Sequence, residues 1–176
     1  LNGLFYAVNP DGTQKWVTNT GKAIDTSVAI GPNGTLYLEG IAVDDSNGSV
    51  IWDFVPPTVP GVNAGTFEGS PSIGPDGKMY IGCKNGYIYC LDAMTGAEIW
   101  SFNTGKDIES SPAIGQGNIL VIGNQDRKVF GLDTQTGAKL WELTGTGSMD
   151  SGAAIDANGT AYFGAGNIYA VNIKTG

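Results

Sequence analysis

Four acidic residues hold equivalent places along the chain. Counting six residues back from Gly31, Gly74, Gly115 and Asp156 reaches Asp25, Glu68, Glu109 and Asp150. Like charges gathered in one place repel one another unless water, a lysine or a cation lies between them. The set therefore has the chemistry of an oxygen-ligand cation site, or of a mouth that receives a basic partner. The alternative is four solvated residues that begin strands and accept turn hydrogen bonds. Lys22 and Lys106, three residues before Asp25 and Glu109, stand where they would compensate two of the charges.

Other chemistry is narrowly limited. The sequence contains no histidine, which removes the commonest general base, the usual partner of a serine or cysteine nucleophile and the commonest metal ligand together. The stretches GPNG (31–34), GPDG (74–77) and DANG (156–159) precede no helical pattern, so they read as hairpin turns and not as phosphate cradles. DDSNG at 44–48 lacks the alternating ligands and terminal Glu of a calcium loop and reads as another turn. Asn33, Asn47 and Asn158 meet the N-glycosylation rule, but each lies in an Asn-Gly turn that accounts for it. Two cysteines define no disulfide framework. With a two-residue turn at Asn85-Gly86, Cys83 faces Ile88 and Cys90 faces Ile81, which leaves the sulfurs diagonal and the thiols free and buried. The segment PPTVPGVNAGTF (56–67) lengthens one connection, and Pro56, Pro57, Pro60 and Phe67 make it the candidate partner loop. A tolerated surface insertion is the alternative.

A repeat positions these residues. CLDAMTGAEIW at 90–100 returns as GLDTQTGAKLW at 131–141, and AVDDSNGSVIW (42–52), AVNPDGTQKW (7–16) and AVNIKTG (170–176) are further copies. A period near 40 residues marks stacked copies of one supersecondary unit. The unit is most legible in ESSPAIG, NILVIGNQD, KVFGLDTQTG and AKLWELT, four strand-length segments divided by turn residues. In each copy an Asp or Asn opens a turn by bonding its backbone, and a glycine supplies the positive φ that closes it. Trp16, Trp52, Trp100 and Trp141 each follow four residues after such a glycine, so each holds one fixed place on the outer strand.

The phrase A-x-D-x-x-T-G-x-x-x-W, in CLDAMTGAEIW and GLDTQTGAKLW, resembles the repeat of the quinoprotein-type, or PQQ-like, β-propellers, over essentially the whole chain. The resemblance implies an all-β fold of four-stranded antiparallel blades, about four in this chain, or half of a seven- or eight-bladed ring. It implies that Trp16, Trp52, Trp100 and Trp141 are docking residues packed on the Thr-Gly turn of the adjacent blade, with Gly48, Gly96 and Gly137 in those turns. Departures are Asn9 and Asn172 for Asp, Asn47 and Gly12 for Thr, and Cys90 and Gly131 for Ala; the first copy has a shortened turn. Residues 4–17 and 149–176 supply incomplete blades, and 23–55, 67–103 and 108–144 complete ones. LFYAVNPDG near the start duplicates NIYAVNIKTG near the end. An open arc exposes blade faces and edges, so closure is expected: four blades on themselves, two chains head to tail in an eight-bladed homodimer, or a longer parent chain. A sequence that opens inside a repeat without an initiator Met reads as a fragment or processed product.

Composition narrows the function. The 28 glycines argue for short antiparallel strands, and 17 acids against nine bases give a net charge of −8. That balance excludes the electrostatic footprint of a nucleic-acid binder. No apolar run reaches the length of a membrane helix and no signal peptide is present. The expectation is a non-catalytic scaffold or recognition domain without a cofactor, binding proteins through loops and channel mouth, in the periplasm, at the cell surface or outside the cell. A fragment of a PQQ-dependent dehydrogenase is the enzyme alternative, against which stand the missing histidine and cysteines seven residues apart where those enzymes carry adjacent ones. Carbohydrate binding is a third, weakened because Tyr37, Tyr80 and Tyr162 sit at repeat positions that belong to the core.

Overall fold

The computed structural model describes residues 2–58 and 65–176; Pro60 of the candidate partner loop lies outside them. Among the described residues every regular element is a β-strand, and no helix is long and apolar enough to cross a membrane. An N-terminal pair, β1 (Leu4–Val8) and β2 (Gln14–Asn19), forms a two-stranded sheet. Three four-stranded blades follow. Blade I has β3 (Ala29–Ile30), β4 (Leu36–Leu38), β5 (Ile41–Val43) and β6 (Val50–Asp53); blade II has β7 (Ser72–Ile73), β8 (Lys78–Gly82), β9 (Tyr87–Asp92) and β10 (Glu98–Asn103). Blade III has β11 (Ala113–Gly115), β12 (Ile119–Gly123), β13 (Lys128–Asp133) and β14 (Lys139–Thr144). β15 (Ala154–Ile155), β16 (Thr160–Ala165) and β17 (Asn167–Asn172) form a terminal three-stranded sheet. Every pairing is between sequence neighbours and antiparallel, so the chain is built of β-propeller blades.

The hairpin between the third and fourth strands of a blade is set by short-range hydrogen bonding. In blade II the Asp92 carboxylate accepts from Met94 N at 3.0 Å and from the backbone and hydroxyl of Thr95 at 2.8 Å, and Gly96 closes the turn at φ +73°. Asp133 does the same with Gln135 and Thr136 in blade III. The Thr95 hydroxyl, then its N–H, holds the Asp92 carboxyl below the ordinary carboxylate range. A register shift follows each turn, at Ala7/Val8, Ala42/Val43, Glu98/Trp100 and Gly131/Leu132. A bulge of this kind re-aims the side chain beside it, here the tryptophan.

Each indole crosses to the next sheet. Trp16 Nε1 donates to Asp45 O at 2.8 Å, Trp52 to Ala93 O at 3.0 Å, Trp100 to Thr134 O at 3.0 Å and Trp141 to Ile173 O at 2.6 Å. The rings lie on Gly48, Gly96, Gly137 and Gly176; a β-carbon at Gly96 or Gly137 would stand 2.7 Å from the indole above it. In blades I and II a tyrosine shares the acceptor: Tyr37 Oη donates to Ala93 O at 3.0 Å and Tyr80 Oη to Thr134 O at 3.2 Å. A second plug lies nearer the inner strands. Phe67 packs where a β-carbon on Gly40 would sit, Ile108 on Gly82 and Met149 on Gly123. The apolar core therefore lies between sheets and not within one: Tyr37 and Ala42 of blade I join Met79, Ile81 and Tyr89 of blade II, and Tyr80 and Ile88 join Leu120 and Ile122 of blade III.

Two sequence expectations need correction. Tyr162 is 45% exposed, unlike Tyr37 and Tyr80, because no sheet of the described residues packs over it; its hydroxyl turns to Asp156 Oδ2 at 3.3 Å. The β8–β9 turn has three residues, with Cys83 N donating to Tyr87 O at 2.9 Å, so the register is one step from that of a two-residue turn and Cys90 faces Tyr80. One step flips a side chain to the other face. Cys83 packs toward blade I and Cys90 toward blade III, both as buried free thiols.

Gly96→Ala should cost about 1–3 kcal/mol through strained φ and overpacking, and Trp141→Phe about 1–3 kcal/mol by leaving the Ile173 carbonyl unpaired, each read as a shifted urea midpoint with unchanged slope. Burial pushes the Cys83 thiol up to about 11 and that of Cys90 to about 12, so a disulfide reagent at pH 8 should label neither thiol in the folded protein and both in urea.

Candidate functional site

The first strands of the blades lie side by side, β3 beside β7 and β11 beside β15. A serine two residues after each of the first three acids ties them together. Ser27 N donates to Ser70 Oγ and Ser70 N to Ser111 Oγ, both at 2.9 Å, and Ser72 Oγ donates to Pro112 O at 2.5 Å. The ladder stops at Gly152, which has no hydroxyl to offer. The recurrence Asp-x-Ser, Glu-x-Ser, Glu-x-Ser, Asp-x-Gly is written in the sequence, where serines at strand starts look like ordinary turn residues.

The four acids do not form one ring of ligands. Glu68 pairs with Lys84 Nζ at 2.6 Å, and the same ammonium reaches Glu109 at 3.7 Å across the junction of blades II and III. Asp150 accepts from Gln125 Nε2 at 2.9 Å. Asp25 is exposed at the mouth of a cleft between blades I and II. Among the described residues no three His, Cys, Asp or Glu side chains are placed to hold a metal ion. Neither lysine acts as its spacing suggested. Lys22 pairs with Asp53 and donates to Glu39 O at 3.1 Å, and no ion pair joins Lys106 to Glu109 among the described residues. Lys84, the bridging cation, sits in the β8–β9 turn, where only the fold brings it to both acids.

The cleft encloses about 420 Å³ and is lined by Gly21, Lys22, Asp25, Glu39, Phe67 and Glu68, among others. Glu39 is its unusual member. The residue lies at φ +47°, is 4% exposed, and its carboxylate accepts from Asp25 N at 3.1 Å and Thr26 N at 3.2 Å. Burial raises its pKa above 4.5 in spite of those donors. The corresponding positions in the other sheets, two residues beyond Tyr80, Val121 and Tyr162, are Gly82, Gly123 and Gly164. Of the described residues of the candidate partner loop, Gly65, Thr66 and Phe67 line the same cleft. Pro56 packs on Gly65, and Pro57 O lies 3.5 Å from Asn85 Nδ2. Phe67 is 5% exposed, packed near Phe54, and forms the floor of the cleft. Asp25 and Glu68 of one set thus meet Phe67 of the other in one cleft.

The blades are shared with solved structures. BamB from Moraxella catarrhalis is 21% identical with a TM-score of 0.77, covering 99% of this chain and 53% of its own, so the chain spans about half its length. The computationally designed Ika4 protein is 20% identical with a TM-score of 0.61, covering 88% of this chain and 92% of its own. Quinohemoprotein alcohol dehydrogenase from Comamonas testosteroni is 20% identical with a TM-score of 0.63, covering 82% and 29%. At these identities the likeness is one of fold. No curated protein sequence matches the chain. The repeat carries the family assignment: a family profile described as outer membrane protein assembly factor BamB matches residues 39–176, from the end of β4 through the last docking turn, and the chain belongs to that family.

Proposed function

We propose that the chain is a non-catalytic propeller scaffold that binds another protein at the cleft between blades I and II, outside the cytoplasm. The observation that carries this reading is the meeting of an apolar floor, Phe67, with Asp25 and Glu39 in one groove that Gly65 and Thr66 also line. The charge of Lys22 is engaged by Asp53 and that of Lys84 by Glu68 and Glu109, which leaves an acidic groove suited to a basic segment. Membership in the BamB family supports a scaffold role and a place in the cell envelope. The enzyme alternative draws on the dehydrogenase fold. Against it, Cys83 and Cys90 lie on opposite faces of one sheet, buried and far from ionising.

A photo-crosslinking residue at position 66, on the cleft rim, should capture a discrete protein in cells, and Asp25→Lys with Glu68→Lys should abolish the adduct while a crosslinker at position 99 gives none. Equal capture at 66 and 99 would count against the cleft. A bound cation favours ionised Glu39, so affinity for a Lys-rich peptide should rise as pH climbs above 4.5 through the raised pKa of Glu39 and stay flat in Glu39→Gln. Titration with pyrroloquinoline quinone and calcium should give no heat; saturable heat would favour the dehydrogenase reading.

A further inference from the structure

Glu39 holds a carboxylate in the wall of the blade I–II cleft with no counter-charge from its own chain. The residue is 4% exposed, and the two donors that reach it, Asp25 N and Thr26 N, both end on Oε1. Oε2 takes neither bond. Lys22 is the one cation among the residues that line the cleft, and its ammonium goes to Asp53 and to the backbone carbonyl of Glu39, not to the carboxylate. Lys84 is engaged by Glu68 and Glu109. Among the described residues no ion pair includes Glu39, and the sequence VPGVNA at 59–64 has no charged residue to offer. Thr26 Oγ1, on the residue that gives the second N–H, is also buried without a hydrogen-bond partner among the described residues. A buried carboxylate met only by neutral donors is costly to the fold. The fold does not require it, because Gly82, Gly123 and Gly164 hold the same place in the other sheets. Glycine would also adopt the φ of +47° without strain. Glu39 therefore carries two costs that the glycine of the other repeats removes, and costs of this kind are kept where a site uses them.

We propose that the cleft is a pocket for one arginine side chain of a protein partner, with Glu39 as the residue that selects it. The proposal rests on the cleft reading and names what the cleft recognises. Its volume of about 420 Å³ lies toward the lower end of ligand sites, which suits one long side chain and not a folded element. The methylenes of an arginine find an apolar floor in Phe67, as such stems do when the charged head reaches past them. The head is a planar fork of five N–H donors, weakly hydrated, so it gives up water at small cost and can bond a carboxylate through two parallel contacts. Backbone bonds from Asp25 and Thr26 hold the Glu39 carboxylate in one orientation to receive it. Asp25, exposed at the mouth, stands where it accepts a further N–H. Lysine fits less well, because its compact ammonium is strongly hydrated and cannot fork. A metal ion lacks a ligand set among the described residues. An anionic ligand meets Asp25, Glu39 and Glu68 together and is repelled.

An amide NMR titration reads the place and the strength of binding together. A short Gly-Ser peptide with one central arginine should shift the Asp25 and Thr26 N–H signals saturably. The same peptide with lysine should bind roughly 10-fold or more weakly, the ratio for one charge-assisted hydrogen bond. With citrulline, which keeps the shape and loses the charge, those signals should not move. Glu39→Gln should bind the arginine and lysine peptides alike. Glu39→Gly should keep or raise the urea midpoint while the arginine response disappears, which separates a binding role from a structural one. Equal binding of the arginine and lysine peptides by the unaltered protein overturns the proposal, as does an arginine response that survives Glu39→Gly. A midpoint that falls steeply in Glu39→Gly assigns the carboxylate to the fold and overturns it as well. Capture at position 66 without a preference for arginine removes the arginine pocket and leaves the cleft reading in place. No capture at 66 removes the cleft reading and this inference with it.

Discussion

An indole lying on a glycine at positive φ, with its N–H on the carbonyl of the same turn, is the contact on which the rest of the structure depends. No sheet here has an apolar face that it satisfies by itself. Each blade is thin, its first strand only two or three residues long, and its buried residues face the neighbouring blade. Stacking is therefore what removes apolar surface from water, and the Trp-Gly contact fixes the distance and angle at which stacking occurs. The indole also satisfies a turn carbonyl that the junction would otherwise bury.

Three lesser contacts share each junction and divide its work. The plug on the second-strand glycine fills the space toward the inner strands, the serine ladder pairs inner backbone across the gap, and the tyrosine doubles the donor on the docking carbonyl where it is present. Blade III shows that the tyrosine is dispensable: Val121 takes its place, and Trp141 alone reaches Ile173 O at 2.6 Å. Blade I shows that the strands can shorten. Its β4–β5 turn is a tight one in which Leu38 pairs with Ile41 and both turn residues, Glu39 and Gly40, lie at positive φ. The residue puts a carboxylate at the blade I–II junction, where the backbone N–H groups of Asp25 and Thr26 donate to it. This irregular blade thus borders a groove that joins an apolar floor to acidic walls.

The family relationship and the geometry agree on architecture and bear differently on chemistry. Relatives of the same fold include a dehydrogenase as well as an assembly factor, which is the expected behaviour of a fold that hosts many sites. Chemistry has to be read from side chains. Here the acids are compensated by Lys84, tied to Gln125 or exposed, and the thiols are held neutral by burial.

The repeat, the four-stranded antiparallel unit and the family were legible in the sequence, because Asp-turn, glycine and tryptophan are all set by contacts within about ten residues or by one contact repeated identically. The equivalence of Asp25, Glu68, Glu109 and Asp150 was legible for the same reason. What those acids meet was not. Lys84 is 16 residues from one partner and 25 from the other, and only the angle between blades II and III decides that it reaches both. The side on which each cysteine lies turned on one residue in the β8–β9 turn, since a period of two converts a single step into the opposite face. Tyr162 carries the same residue type at the same repeat position as the buried Tyr80, yet it is exposed, because burial at that position belongs to the following sheet. Local hydrogen bonding and periodicity thus wrote the blade into the sequence, whereas the cleft, the charge pairs and the open faces arise between blades, where distance along the chain carries no information.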